Sequence, residues 1–204
     1  MPPRKQNLEE ILLVEAAEII ATRGLEALSL RELGRRAGVS RAAPYHYFAD
    51  KAELVARVGE LGFRRLGERI AAGVALHTEP LARLRAGLSA YVQFALEEEN
   101  FFHLMFSGAL KREQPGVAEP AEVSGFAFSS DAALAAFGVL VRGVQDAQSQ
   151  GVLEPGDPLL VVNVLWAYTH GVAVLAQGDH LKHPHGVEPI FEAGLEALLR
   201  RFAG

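Results

Sequence analysis

Apolar residues recur at helical spacing along almost the whole chain. Leu8, Ile11, Leu12, Ala16 and Ile19 share one face of a helix of about sixteen residues, and Gly24 stands where a left-handed C-terminal cap belongs. Ser29-Leu30-Arg31-Glu32 reads as a capping box, in which serine and glutamate side chains satisfy each other's free backbone N–H groups. A second helix therefore starts at Leu30, sets Leu30, Leu33 and Ala37 on one side, and stops at Gly38. Ser40 caps a third start over 41–48, after a turn of only Gly38 and Val39. Further helices are expected over 50–72, 80–99, 101–106, 130–150 and from Asp157-Pro158 to Gln177. The last carries Val187, Ile190, Phe191, Gly194, Leu195, Leu198, Leu199 and Phe202, the stripe of a bundle helix. The Pro, Gly and Glu content of 111–128 predicts a mobile loop.

The pattern predicts an all-α protein of about nine helices. A three-helix domain occupies 1–50 and a larger helical domain 51–204. Two short helices joined by a glycine-containing turn are the signature of a helix-turn-helix. Small Ala42 and Ala43 open its second helix and would let the backbone sit deep in a major groove. Tyr45, His46 and Tyr47 reach phosphates or base edges, and Arg41 stands at the positive helix end. Pro44 lacks an N–H and disfavours helical geometry at Ala43.

Charge supports a local patch rather than bulk polyanion binding. The chain has 20 Lys/Arg against 25 Asp/Glu, a net of −5. Residues 1–51 carry a net +1 and residues 52–204 a net −6. Between Ser29 and Lys51 lie Arg31, Arg35, Arg36, Arg41 and Lys51, opposed only by Glu32 and Asp50, and Arg4 and Lys5 extend the patch as an arm.

The run from Ser29 to Leu54, with its Gly38-Val39-Ser40 turn, Tyr45-His46-Tyr47-Phe48 and following Lys51, resembles the DNA-binding signature of the tetracycline-repressor (TetR) family. The resemblance implies a ligand-responsive regulator that binds a palindromic operator as a homodimer. Tyr45, Tyr47 and Lys51 would meet phosphates, Ser40, Arg41, Ala43 and His46 would face the groove, and Phe48 would anchor the helix. Arg31 and Ala42 complete the expected DNA-binding set.

Trp166-Ala167-Tyr168-Thr169-His170-Gly171 is similar to the Trp-x-x-x-His-Gly element of one subgroup of that family. Trp166 and His170, four apart, lie one above the other. They stand by a ligand cavity or the subunit interface, or else pack as core. Phe102, His103, Met105 and Phe106, with Phe101, line an apolar pocket for a small hydrophobic or amphipathic effector, or pack as core. The alternative is control by a protein partner or a metal. A homodimer built on the last two helices as a four-helix bundle would use Val162, Leu165, Phe191, Leu195, Leu198 and Leu199.

Other chemistry has little support. No cysteine is present, which excludes disulfides and thiolate metal sites. No nucleophile elbow, phosphate-binding glycine loop or His-Glu-x-x-His occurs, and Glu97, Glu98 and Glu99 fan out around a helix, so no enzyme and no cofactor is expected. His180, His183 and His185, with Asp179, have metal-ligating side chains, but Pro184 and Lys182 mark an exposed connection. The N-terminus lacks the pattern of a secretory leader. Asn163, Thr169, His170 and Gly171 interrupt the longest apolar run, so no membrane partner and a cytoplasmic location are expected.

Overall fold

A computed structural model of the chain describes residues 5–106, 122–123, 126–127, 130–182 and 184–204. Its α-helices are α1 (Lys5–Arg23), α2 (Leu30–Arg36), α3 (Lys51–Ala75), α4 (Pro80–Glu97), α5 (Glu99–Phe106), α6 (Asp131–Ser149), α7 (Pro158–Gln177) and α8 (Glu188–Arg201). The expected loop over 111–128 lies outside the described residues, apart from two-residue strands at Glu122–Val123 and Phe126–Ala127. The long helices match the expected spans to within a few residues, because each has a sustained apolar face.

The expected third helix is a correction. Residues Ala43–His46 form a single 3-10 turn instead of an α-helix over 41–48. Pro44 gives the reason: it has no N–H to donate, and the bonds that form are the tighter Ala43 N–H to Ser40 O (3.0 Å) and Tyr45 N–H to Ala42 O (3.2 Å). With this turn included, the described residues hold the nine helical segments that the pattern implied, besides a minor 3-10 turn at Leu25–Ala27.

The capping box at Ser29 is half formed. Ser29 Oγ accepts from Glu32 N–H at 3.1 Å, but the Glu32 carboxylate turns to Arg23 and Arg35. A reciprocal pair stands instead at the start of α3, where Glu53 N–H donates to Asp50 Oδ1 (2.8 Å) and the Glu53 carboxylate accepts from Ala49 N–H (2.7 Å).

The chain forms two compact units. The first holds α1, α2, the 3-10 turn, α3 as far as Phe63, and α5 from Asn100. Its core collects Leu12, Ala16 and Ile19 of α1, Leu30 and Leu33 of α2, Phe48, and Leu54, Val55 and Val58 of α3. The second holds α3 from Arg64, α4, α6, α7 and α8. There α4 is central, with Leu84, Leu88, Tyr91 and Phe94 buried among Leu140 and Val144 of α6 and Val162, Leu165 and Val172 of α7. Tyr168 fastens α7 to α8: its hydroxyl donates to Ile190 O (2.8 Å) and Phe191 O (3.0 Å), and it occupies the space a side chain at Gly194 would need.

Gly38 sits at φ 67°, a conformation that favours glycine, and ends α2 so that Val39 N–H reaches back to Gly34 O at 3.0 Å. Gly38→Ala should lower stability by about 1 kcal/mol. Gly143→Ala, on α6 with only an ordinary contact to Leu84, should raise it by about 0.5–1 kcal/mol. Denaturant titration of both variants checks the contrast.

Candidate nucleic-acid interface and sensor residues

The turn after α2 is held from below. A Cβ at Gly34 would lie 3.1 Å from Ser40 O and 3.3 Å from Pro44 Cγ, so only the bare backbone of α2 lets the turn approach this closely. Pro44 is buried against it, and shortly after it Phe48 is buried to 1% exposure. Anchored at these two points, the intervening residues face outward. Ser40, Arg41, Ala42, Tyr45 (57% exposed) and His46 are exposed, Ala43 and Tyr47 half-buried, and Lys51 half-buried at the start of α3. Arg31 is exposed on the first turn of α2. The four-residue turn has no helix dipole worth the name, so Arg41 offers only its own charge.

The five-cation patch expected between Ser29 and Lys51 reduces to three. Arg35 grips Glu32 with two bonds, Nε to Oε2 at 2.8 Å and Nη2 to Oε1 at 2.7 Å, while Arg23 reaches the same carboxylate at 2.7 Å. Arg36 is taken by Glu15 (3.0 Å) and Glu18 (2.7 Å), which ties α2 to α1. Arg31, Arg41 and Lys51 have no ion-pair partner among the described residues. Arg4 lies outside them.

The residues expected to line one effector pocket fall in both units. In the first, α5 buries Phe101, Phe102, Leu104 and Met105, leaves Phe106 half-buried and exposes His103. Phe106 meets Phe63 edge-on (5.8 Å) and Phe102 at a tilt (4.8 Å), and Met105 rests on the bare backbone of Gly62. In the second, Trp166 and His170 meet a residue that hydropathy reading passed over, Tyr91 of α4, which is 2% exposed. Trp166 Nε1–H donates to Tyr91 Oη at 3.3 Å, and Tyr91 Oη lies 2.8 Å from His170 Nδ1. Burial pushes the Tyr91 phenol above its ordinary range and holds the His170 imidazole below its own. Tyr91 Oη thus shares one hydrogen bond with Trp166 and one with His170. A tyrosine in the apolar run of α4 was the available signal, since a buried hydroxyl needs a partner.

The expected pairing residues are corrected. Val162, Leu165, Phe191, Leu195 and Leu199 are sealed inside their own subunit, Leu195 completely, and only Leu198 stays partly exposed. An exposed or half-exposed apolar row runs beside them: Leu160 (59% exposed), Val164, Ala167, Gly171 and Val174 at intervals of three and four on α7, with Ile190, Ala193, Ala197 and Leu198 on α8. No cluster of three or more metal-ligating side chains occurs among the described residues; His183 lies outside them.

Residues 12–58 match the model of bacterial regulatory proteins of the tetR family, and residues 84–198 match the tetracyclin repressor-like C-terminal domain. The HTH-type transcriptional activator FasR of Mycolicibacterium smegmatis is 30% identical over 113 residues, 55% of this chain. That match spans about half of the relative's length (51%). A structure of a protein of unknown function from Rhodococcus sp. RHA1 superimposes over 100% of both chains with a TM-score of 0.81 and 33% identity. The TetR family transcriptional regulator PfmR from Thermus thermophilus shares the fold, with a TM-score of 0.68 and 22% identity over 93% of this chain and 97% of that one.

The Glu32 carboxyl, clasped by Arg35 and Arg23, is lowered from 4.5 to about 2. Its folded value lies below the unfolded one, so its contribution to stability is complete above pH 4.5 and is lost as pH falls toward 2. Glu32→Gln should flatten stability across that window while leaving other acid transitions in place. Unfolding curves collected from pH 2 to 5 give the comparison.

Proposed function

The chain belongs to the TetR family of bacterial regulatory proteins, a family of transcriptional regulators and not of enzymes, and from that premise we propose that it is a repressor that releases a palindromic operator when a small hydrophobic or amphipathic effector binds. Residues 1–50 are the DNA-binding domain and residues 51–204 the sensing and dimerisation domain, in the cytoplasm. The observation that carries the reading is the outward row from Ser40 to Tyr47 with three cations, Arg31, Arg41 and Lys51, left unpaired in a unit that neutralises Arg35 and Arg36. Unpaired cations beside hydroxyls suit phosphates; exposed Ala42 and half-buried Ala43 suit close approach to bases. Trp166, His170 and Gly171, joined through Tyr91 to α4, support membership of the Trp-x-x-x-His-Gly subgroup.

Two reading heads require two chains. The apolar row on α7 and α8 suits a second copy of itself in a four-helix bundle, with Ala193 and Ala197 allowing close approach. By length and composition α7 would cross a membrane, but it is packed against α4, α6 and α8 and buries Val161, Val162, Leu165, Val172 and Ala173. The effector reading rests on α3, which contributes residues 51–63 to the first unit and 64–75 to the second. An effector that prefers one tilt of α3 changes the spacing of the two heads. A hundredfold loss of operator affinity requires a coupling of about 2.7 kcal/mol, and the effector must bind the operator complex a hundredfold less tightly.

Lys51→Ala should weaken binding to every duplex about equally and lower the salt slope by roughly one unit, whereas Arg35→Ala should leave the slope unchanged. Tyr47→Phe should weaken binding without changing the preferred site. Filter or fluorescence titrations at several salt concentrations separate these outcomes; equal slope changes for Lys51 and Arg35 would contradict the assignment. On the pairing surface, Ala167→Glu should give a folded monomer with weak operator binding. Leu195→Glu, buried in its own subunit, should instead unfold the chain. Sedimentation and circular dichroism distinguish the two.

A further inference from the structure

One face of α7 carries Asn163, Trp166 and His170. At about 100° per residue His170 points within about 20° of Asn163, and Trp166 within about 60°. Two of these three are satisfied through Tyr91. The third is not: Asn163 Oδ1 is buried and has no hydrogen-bond partner among the described residues. A buried acceptor left unmade costs on the order of 1–3 kcal/mol, and such an atom calls for a donor that the described residues do not supply.

The surroundings define that donor. Helix α7 contains no Asp, Glu, Lys or Arg from Pro158 to Gln177, and α4 contains none between Arg85 and Glu97. The charges flanking that stretch of α4 are already engaged: Arg83 by Asp146 (3.4 Å), Arg85 by Glu192 (3.3 Å) and Glu97 by Arg69. Phe137 of α6 lies edge-on to Trp166 at 6.3 Å, adding an apolar wall. A carboxylate or ammonium brought to this face would be desolvated with no countercharge from α7 or from residues 86–96 of α4. A hydroxyl loses little and gains the acceptor.

We infer that the face of α7 bearing Asn163, Trp166 and His170 is the polar anchor of the effector site, and that it takes an uncharged amphipathic molecule whose hydroxyl donates to Asn163 Oδ1. This rests on the effector reading above and narrows it to a neutral alcohol class. Trp166 is the chain's single tryptophan and stands one turn from Asn163, so its emission reports occupancy directly.

The test uses four straight-chain probes with tails of nine or ten carbons: 1-decanol, decyl methyl ether, decanoate and decylammonium. Each is titrated into the full-length protein, with Trp166 emission and operator affinity measured together. Decanol should bind about tenfold more tightly than the ether, in which a methyl replaces the donated hydrogen, and at least tenfold more tightly than either ion. Asn163→Ala should erase the decanol advantage over the ether. The wild-type comparison of decanol with its ether stands even if that variant folds poorly. Equal binding of decanol and ether, or tighter binding of decanoate accompanied by operator release, would overturn the neutral anchor and leave the effector reading intact. Failure of all four to change either Trp166 emission or operator affinity would remove both.

Discussion

The close seat of Pro44 and the Ser40 carbonyl on the bare backbone of Gly34 is the contact on which the reading head depends. Because α2 has no side chain there, the turn folds back tightly. Because Pro44 brings no N–H, the backbone closes into a 3-10 turn, and the chain exposes Tyr45 and His46 before Phe48 returns it to the core. Larger side chains at residue 34 would push the turn outward and uncouple Phe48 from the helices it anchors. The outward residues are thus held by two buried points rather than by the cooperativity of a full helix.

Electrostatics follow from the same economy. A unit with a net charge close to zero acquires a directional positive surface only if most of its cations are neutralised in place and a few are not. Glu32, shared by Arg23 and Arg35, and the Glu15/Glu18 pair that holds Arg36 perform the first task and brace α2 against its neighbours. Arg31, Arg41 and Lys51 remain for the second. In the other unit the logic is reversed: a tyrosine, a tryptophan and a histidine satisfy one another without charge, which leaves a neutral polar face in an apolar helix bundle.

Much of this was legible in the residues. Sustained apolar faces, Asp157-Pro158 and Gly38 marked the helices and their ends, and the run around the Gly38-Val39-Ser40 turn marked the helix-turn-helix. Pro44 warned of its own effect, but local pattern alone could not say that the whole expected helix would tighten. The ion pairs of Arg36 were invisible because Glu15 and Glu18 lie some twenty positions away in sequence. Hydrophobicity also pointed for pairing to residues that the chain itself buries: Leu195 and Val162 are greasier than Ala167 and Gly171, and for that reason lie inside. The small residues of the outer row are ones that periodicity scores weakly.

The central claim is that the row from Ser40 to Tyr47, doubled by two-fold pairing, reads a symmetric DNA site. Selection from a pool of random duplexes with the full-length protein tests it most directly. The expected result is enrichment of one approximately palindromic sequence, protected over both half-sites in footprinting, and no enrichment by a folded monomeric variant. A wild-type protein that enriches no sequence over the starting pool would contradict it.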